Sequence, residues 1–208
     1  MVLNPKCRKG LIFFPLLIFL VLETPMLPAY PDKKDVLEKT TIGLGYGTYN
    51  ISDARYKEVY DGRREIYTLE VLQLLHTLNH HHIGLSLGFK HFTIKGRTTI
   101  TQENTELTLV PISLGFRYLL KIKHFLPWIE MGMDYYNYKE SAALKTTEGN
   151  AFGYHIAGGF YFEIPRVNFV KLIIYAKHTK CLATEEKIKV SLGGLEYSLG
   201  LAFGFNLY

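Results

Sequence analysis

From Thr40 onward the hydrophobic positions of the chain recur every second residue. The final segment shows it best: Leu195, Tyr197, Leu199, Leu201, Phe203, Phe205 and Leu207 fall on one face, and Gly194, Glu196, Ser198, Gly200, Ala202, Gly204 and Asn206 on the other. A period of two marks a strand with two unlike faces. Eight such segments can be counted, near residues 40–51, 65–78, 82–95, 105–120, 126–138, 150–164, 169–179 and 189–207. The connections near 52–64, 96–104, 139–149 and 180–188 are polar and longer, whereas those near 79–81, 121–125 and 165–168 are short. Alternation alone does not say which face is the core, since a soluble sandwich turns its apolar face inward and a barrel in lipid turns it outward.

The first residues decide between the two. Lys6, Arg8 and Lys9 precede an apolar run from Leu11 to Leu22, broken only by Pro15, and Glu23 and a Pro-rich stretch lead on to Ala29. Residues 1–29 read as a secretory signal peptide, because the apolar run is ~12 residues where a spanning helix needs roughly 20. Residues 30–39 then form a polar periplasmic lead-in, and residues 40–208 the folded part. An exported chain of long strands, greasy on one side and small or polar on the other, predicts an all-β fold: an eight-stranded antiparallel up-and-down transmembrane β-barrel. Closure follows from the cost of leaving backbone groups unpaired in lipid. With the longer connections outside and the short turns in the periplasm, both termini are expected to be periplasmic.

Composition narrows the picture further. Fifteen Tyr, 13 Phe and 18 Gly in 208 residues suit many strands better than a helical bundle. The two cysteines, Cys7 in the leader and Cys181, cannot make a disulfide framework or a zinc site. The formal charge of +5 falls to +3 once Lys6, Arg8, Lys9 and Glu23 leave with the signal peptide, so nothing calls for a nucleic-acid partner.

Charges that alternate with lipid-facing residues must point into the lumen, because a basic side chain at the bilayer midplane costs about 2–4 kcal/mol and an acid somewhat less. The expected interior set is Glu70, Glu130, Asp134, Glu163 and Glu196 against Lys90, Arg117, Lys171 and Lys177, with His76 also turned inward. The same parity sends His155, Tyr161 and Tyr175 inward. Eight strands enclose a space that side chains can just fill, so a salt-bridged polar core is expected rather than a wide water channel. Arg117 and Lys90 are each expected to meet at least one of the five acids.

The glycine-alternating opening TIGLGYGTYN, the central LVPISLGFRY followed by LPWIEMGM, and the closing GGLEYSLGLAFGFNLY together resemble the small eight-stranded outer-membrane barrels. That superfamily groups OmpA-type membrane domains with OmpW-type and OmpX-type proteins. The resemblance covers about residues 40–208, and the alternating aromatic C-terminal strand is similar to the signal read by the barrel-assembly machinery. It implies a monomer in the outer membrane, in contact with outer-membrane lipids including lipopolysaccharide. Family roles run from envelope linkers, adhesins and passive conduits to lipid-modifying enzymes, and fold alone does not choose among them.

Candidate chemistry is sparse. His80, His81 and His82 could bring at most two ligands to one face. His178 followed by Thr179 is similar to the His-x-Ser arrangement of barrel-type lipid A deacylases, but Lys180 stands where serine would be needed. No catalytic, cofactor or metal residues are therefore assigned. Arg55, Lys57, Arg63 and Arg64, beside Tyr56 and Tyr60, could hold lipopolysaccharide phosphates at the outer rim, although Asp53, Glu58, Asp61 and Glu65 nearly cancel their charge. Trp128, with Tyr118 and Tyr208, is expected in an interfacial aromatic belt. The expected function is that of a non-enzymatic barrel contributing to envelope structure, surface interaction or limited passage of small solutes.

Overall fold

The computed structural model describes residues 37–60, 63–98, 103–142, 146–165, 167, 169–185 and 188–206, with only the backbone of Arg55, Glu185 and Ile188. The expected signal peptide, most of the expected lead-in, Asp61, Leu207 and Tyr208 lie outside the described residues. Ten strand segments follow one another: β1 (Thr40–Ile51), β2 (Arg63–Leu78), β3 (His81–Lys90), β4 (Phe92–Arg97), β5 (Asn104–Leu120), β6 (Phe125–Ala142), β7 (Thr146–Glu163), β8 (Val170–Glu185), β9 (Ile188–Ser191) and β10 (Gly194–Phe205). A short helix, α1 (Ala54–Tyr60), stands between β1 and β2.

These segments make eight spans. β3 and β4 run in one register along β5, with Phe89 opposite Ile112 and Phe92 opposite Leu109 on either side of the break at His91. β9 and β10 likewise share β8. Every pairing is antiparallel, and β10 pairs with both β8 and β1, which closes the ring. A line of paired residues followed once around runs Cys181, Gly153, Asp134, Ser113, Gly88, Glu70, Gly43, Ala202 and Lys171. It returns to β8 ten residues from where it left, and eight strands with that stagger tilt by about 40°.

One end of the barrel carries α1 and is called here the helix end. The other, the turn end, carries the connections at 79–80, 121–124 and 164–169. Asn79 and Lys123 take left-handed backbone conformations there (φ 52° and 56°), as tight turns ask of them. The outside between the two ends is apolar: Leu44, Leu69, Leu87, Leu114, Phe116, Met131, Met133, Leu199 and Leu201 are exposed. Aromatic rings border that band. Tyr46 lies against Tyr67 and Tyr135 against Phe152 toward the helix end, with centroids 5.4 and 4.9 Å apart, while Phe125 lies against Phe160 toward the turn end at 5.2 Å. This is the exterior of a membrane barrel.

The strands run farther than the sequence pattern predicts. Residues 139–149 and 180–188, expected as long polar loops, are mostly strand: β6 and β7 reach Ala142 and Thr146, and β8 and β9 reach Glu185 and Ile188. Around Pro111 in β5 and Tyr135 in β6 the polarity of the two faces inverts. Beyond that level Leu107, Leu109 and Tyr138 are buried, whereas Glu106 and Lys139 are outward and exposed. A segment with neither lipid-facing grease nor a polar inside does not read as a membrane strand, although its period is still two.

β2 and β4 part company beyond the pair Thr68–Lys90, and α1 packs beside β4. Gly96 makes the approach possible, since a Cβ there would lie 2.2 Å from the Val59 carbonyl oxygen. Tyr60 enters the apolar cluster, bonds Thr105 Oγ1 at 3.0 Å and donates to the Glu140 carboxylate. Burial and that carboxylate push the Tyr60 phenol well above its ordinary pKa.

Candidate functional site: the barrel interior

Alternation places three layers inside the ring. At the helix end lies an apolar cluster built on Tyr49, Ile66, Phe92, Ile94, Leu107, Leu109, Tyr136 and Tyr138, with Cys181 buried among them as a free thiol. At the turn end Leu37, Leu72, Leu119, Leu126, Trp128, Tyr161 and Ile173 form a second. Between them sit the buried charges.

Arg117 on β5 is the centre of that middle layer and is 1% exposed. Its Nη1 and Nη2 each donate to a different oxygen of Glu70, both at 2.6 Å, and its Nε donates to Glu130 Oε2 at 2.8 Å. Nη1 also bonds Tyr161 Oη, and the guanidinium lies 3.8 Å from the centroid of the Trp128 ring. A planar fork saturated by two carboxylates and stacked on an indole is held from every side.

The row continues across β6 and β7. Glu130 Oε1 lies 3.0 Å from His155 Nε2, and His155 Nδ1 lies 3.0 Å from Asp134 Oδ2. An ionised carboxylate only accepts, so with both acids ionised each ring nitrogen would donate to one of them. Asp134 Oδ1 then accepts from Lys177 Nζ at 2.8 Å and from Ser113 Oγ at 2.5 Å. Gly132 makes room for the ring, because a Cβ there would lie 2.6 Å from His155 Cε1 and 2.2 Å from the Leu114 carbonyl oxygen. A second group joins Lys90 to Glu196, which also accepts from Tyr175 Oη at 2.6 Å. Glu70, Glu130, Asp134 and Glu196 thus share the layer with Lys90, Arg117, Lys177 and His155, each acid within bonding distance of at least one of these four. Such pairing offsets the cost of burying so many charges.

The nine residues expected inside do not form one network. Glu163 lies at the turn end beside Lys121 at 3.5 Å and His124 at 3.7 Å, and Lys171 meets Glu38 from the lead-in at 2.6 Å. Both come from strand ends below the middle layer, beyond reach of its partners. Leu37 and Glu38 thereby help seal the turn end, where Lys39 N also donates to Asn206 Oδ1 at 3.0 Å. His76 is exposed rather than inward: a bulge between Leu74 and His76 shifts the register, so His76 pairs with outward-facing Ile83. Trp128 is not in an outer belt but 3% exposed inside, on the same parity of β6 as Glu130 and Asp134.

What residue reasoning missed are the uncharged and conditionally charged members: His155, Tyr161, Tyr175 and Trp128. The inward parity of the first three is legible in the sequence, but a network built from full charges alone leaves them out. Two voids lie between the described interior side chains, and both are small. A void bordered by Glu70, Lys90, Arg117 and Lys177 measures about 20 Å³, and one beside Leu37 and Glu38 about 10 Å³. The first has room for about one water molecule.

The remaining candidates diverge. His81 Nδ1 meets Tyr118 Oη at 2.6 Å, while His82 is buried and meets Thr77 Oγ1 at 3.1 Å, so the histidine row does not converge. Among the described residues no group of three or more His, Cys, Asp or Glu side chains is placed to hold a metal ion. His178 and Lys180 are exposed on the outer face of β8, with Thr179 buried on the inner one. Lys57 on α1 and Arg63 and Arg64 at the start of β2 are exposed at the helix end, where the backbone of Arg55 also lies.

No protein-family profile and no curated protein matches the chain. Solved structures do. The outer membrane protein OprG from Pseudomonas aeruginosa aligns with a TM-score of 0.60 at 12% identity, over 82% of this chain and 97% of its own. Neisserial surface protein A aligns at 0.57 with 10% identity, over 82% of this chain and all of its own. The N-terminal β-barrel domain of Pseudomonas aeruginosa OprF aligns at 0.50 with 12% identity, again over 82% of this chain and 100% of that one. At such identities the likeness speaks to architecture, and it agrees with the closed ring and the apolar exterior: the chain has the fold of the small eight-stranded outer-membrane β-barrels.

Proposed function

We propose that this chain is a non-enzymatic, plugged barrel of the outer membrane, monomeric, inserted by the barrel-assembly machinery, and serving envelope structure and surface interaction. The observation that carries this reading is the layer of paired charges shut between two apolar clusters, with a void of about 20 Å³. A conduit for solutes would need a continuous wet path, and forming one here means breaking buried ion pairs. The helix end is taken to face outward, because it carries α1 and the strands that project beyond the aromatic border, whereas short turns belong on the periplasmic side. On that orientation both termini would be periplasmic, and Arg55, Lys57, Arg63 and Arg64 would stand at the height of lipopolysaccharide phosphates.

Planar-bilayer recording tests the reading directly. The full barrel is expected to give no stable ohmic steps, and steady conductance in the wild-type protein would replace the plug with a pore. The enzymatic rival is an outer-leaflet lipid A deacylase. It predicts loss of one acyl chain from lipid A in cells carrying the protein, abolished by His178→Ala; the plugged-barrel reading predicts unchanged lipid A mass spectra.

A further inference from the structure

His178 and Lys180 have no role in the interior or in the apolar band. They lie two residues apart on the outward face of β8, roughly 7 Å along the strand. Both are exposed, and among the described residues neither has an acidic partner. Two exposed lysines of the projecting wall differ in this respect: Lys95 faces Glu106 at 3.4 Å and Lys139 faces Glu148 at 3.8 Å. Around the pair the surface is apolar and aromatic. Across β7 stand Ile156 opposite His178 and Tyr154 opposite Lys180, and across β10 Leu195 stands opposite His178.

Height follows from the stagger. A shift of ten residues over eight strands moves the level by a little over one residue at each step around the ring. His178 therefore lies level with Tyr46, Tyr67, Tyr135, Tyr154 and Tyr197, the aromatic border toward the helix end, and Lys180 lies one residue pair farther out. A lipid-facing cation is tolerated at headgroup depth and not at the midplane. An exposed imidazole and an exposed ammonium at that depth, ringed by surfaces on which acyl chains can lie, suit a ligand that is anionic at one end and apolar at the other.

We propose that His178 and Lys180 bind the phosphate of a phosphorylated glycolipid of the outer leaflet, its acyl chains lying along β7, β8 and β10. The proposal rests on the outward-facing helix end argued above. An imidazole N–H and an ammonium both donate to phosphate oxygens, and charge-assisted bonds of this kind are the strong ones.

The test uses the full barrel in nanodiscs, with native mass spectrometry of bound lipid and bisphosphorylated lipid A, its dephosphorylated counterpart and phosphatidylglycerol as probes. The wild-type protein is expected to prefer phosphorylated over dephosphorylated lipid A by about tenfold or more, the scale of one charge-assisted bond. The double variant His178→Gln with Lys180→Gln should lose that preference, while Lys95→Gln with Lys139→Gln, at lysines that already face Glu106 and Glu148, keeps it; heat-modifiable migration checks that each variant is folded. A preference that survives the first double variant, or vanishes in the second, overturns the site. Equal competition by phosphatidylglycerol overturns its assignment to a glycolipid. Orientation is read separately, by labelling Glu58→Cys in intact cells with a membrane-impermeant maleimide. Failure to label overturns the outward-facing helix end, whereas the preference measured in nanodiscs does not depend on it.

Discussion

The same strands build two interiors of opposite character. At membrane level β5 turns Ser113 and Arg117 inward and Ile112, Leu114 and Phe116 outward; toward the helix end it turns Leu107 and Leu109 inward and Glu106 and Thr108 outward. β6 repeats the exchange, with Glu130 and Asp134 inside at one level and Tyr136 and Tyr138 at the other. The backbone is continuous through both regions, so the solvent outside sets which residues can face where. In lipid the outside must be apolar and the limited interior takes the polar side chains. Above the aromatic border the outside is water, and the fold buries its apolar residues as a soluble sheet does. The lower region is held by specific ion pairs, the upper by packing against α1.

If that division is right, the two regions fail differently. Arg117→Ala should have the largest effect, about 3–5 kcal/mol, because Glu70 and Glu130 are left buried without their cation. The urea midpoint in detergent measures it, and the emission of Trp128, the only tryptophan, reports directly on the stacked guanidinium. Replacing Arg117 and Glu70 together by Met and Leu, which removes one charge of each sign and leaves Glu130 against His155, should recover much of the loss. No recovery would mean that packing, not unpaired charge, was the cause.

Leu107→Ala should cost about 2–3 kcal/mol, toward the lower part of the range for a buried leucine, because the rim can relax around it. Its signature should be local. Protease cleavage at the helix end is expected to increase while heat-modifiable migration of the membrane-level barrel persists, and simultaneous loss of both would show that the two regions are one cooperative unit.

Tyr60→Phe removes the bonds to Thr105 and Glu140 and should cost about 1.5 kcal/mol. Faster amide exchange confined to α1 is the expected readout; unchanged exchange would mean that apolar packing alone holds the helix. The smallest effect belongs to Lys139→Ala, whose partner Glu148 lies 3.8 Å away with both side chains more than half exposed. It should change the midpoint by about 0–1 kcal/mol. Arg63→Ala at the exposed start of β2 should likewise hardly move it. A loss at Lys139 comparable to that at Arg117 would erase the distinction between the two regions.

Local alternation determined a good deal by itself. The number of spans, the inward parity of Lys90, Arg117, Glu130, Asp134, His155 and Lys177, and the outward parity of the Leu, Phe and Met residues follow from a period of two, a property of each strand alone. The inverted segments at 139–149 and 180–188 were hidden because which face turns to water depends on how far the wall rises past the lipid, and no single strand carries that height. His76 was misplaced because a bulge resets parity without a sequence mark as plain as a proline. Partner choice was beyond the pattern altogether. Arg117 meets Glu70, Lys177 meets Asp134 and Lys90 meets Glu196 across the lumen, between residues 47, 43 and 106 positions apart in the chain. Which inward charges stand at one height is set by the ten-residue stagger at closure, and that exists only once all eight spans have joined.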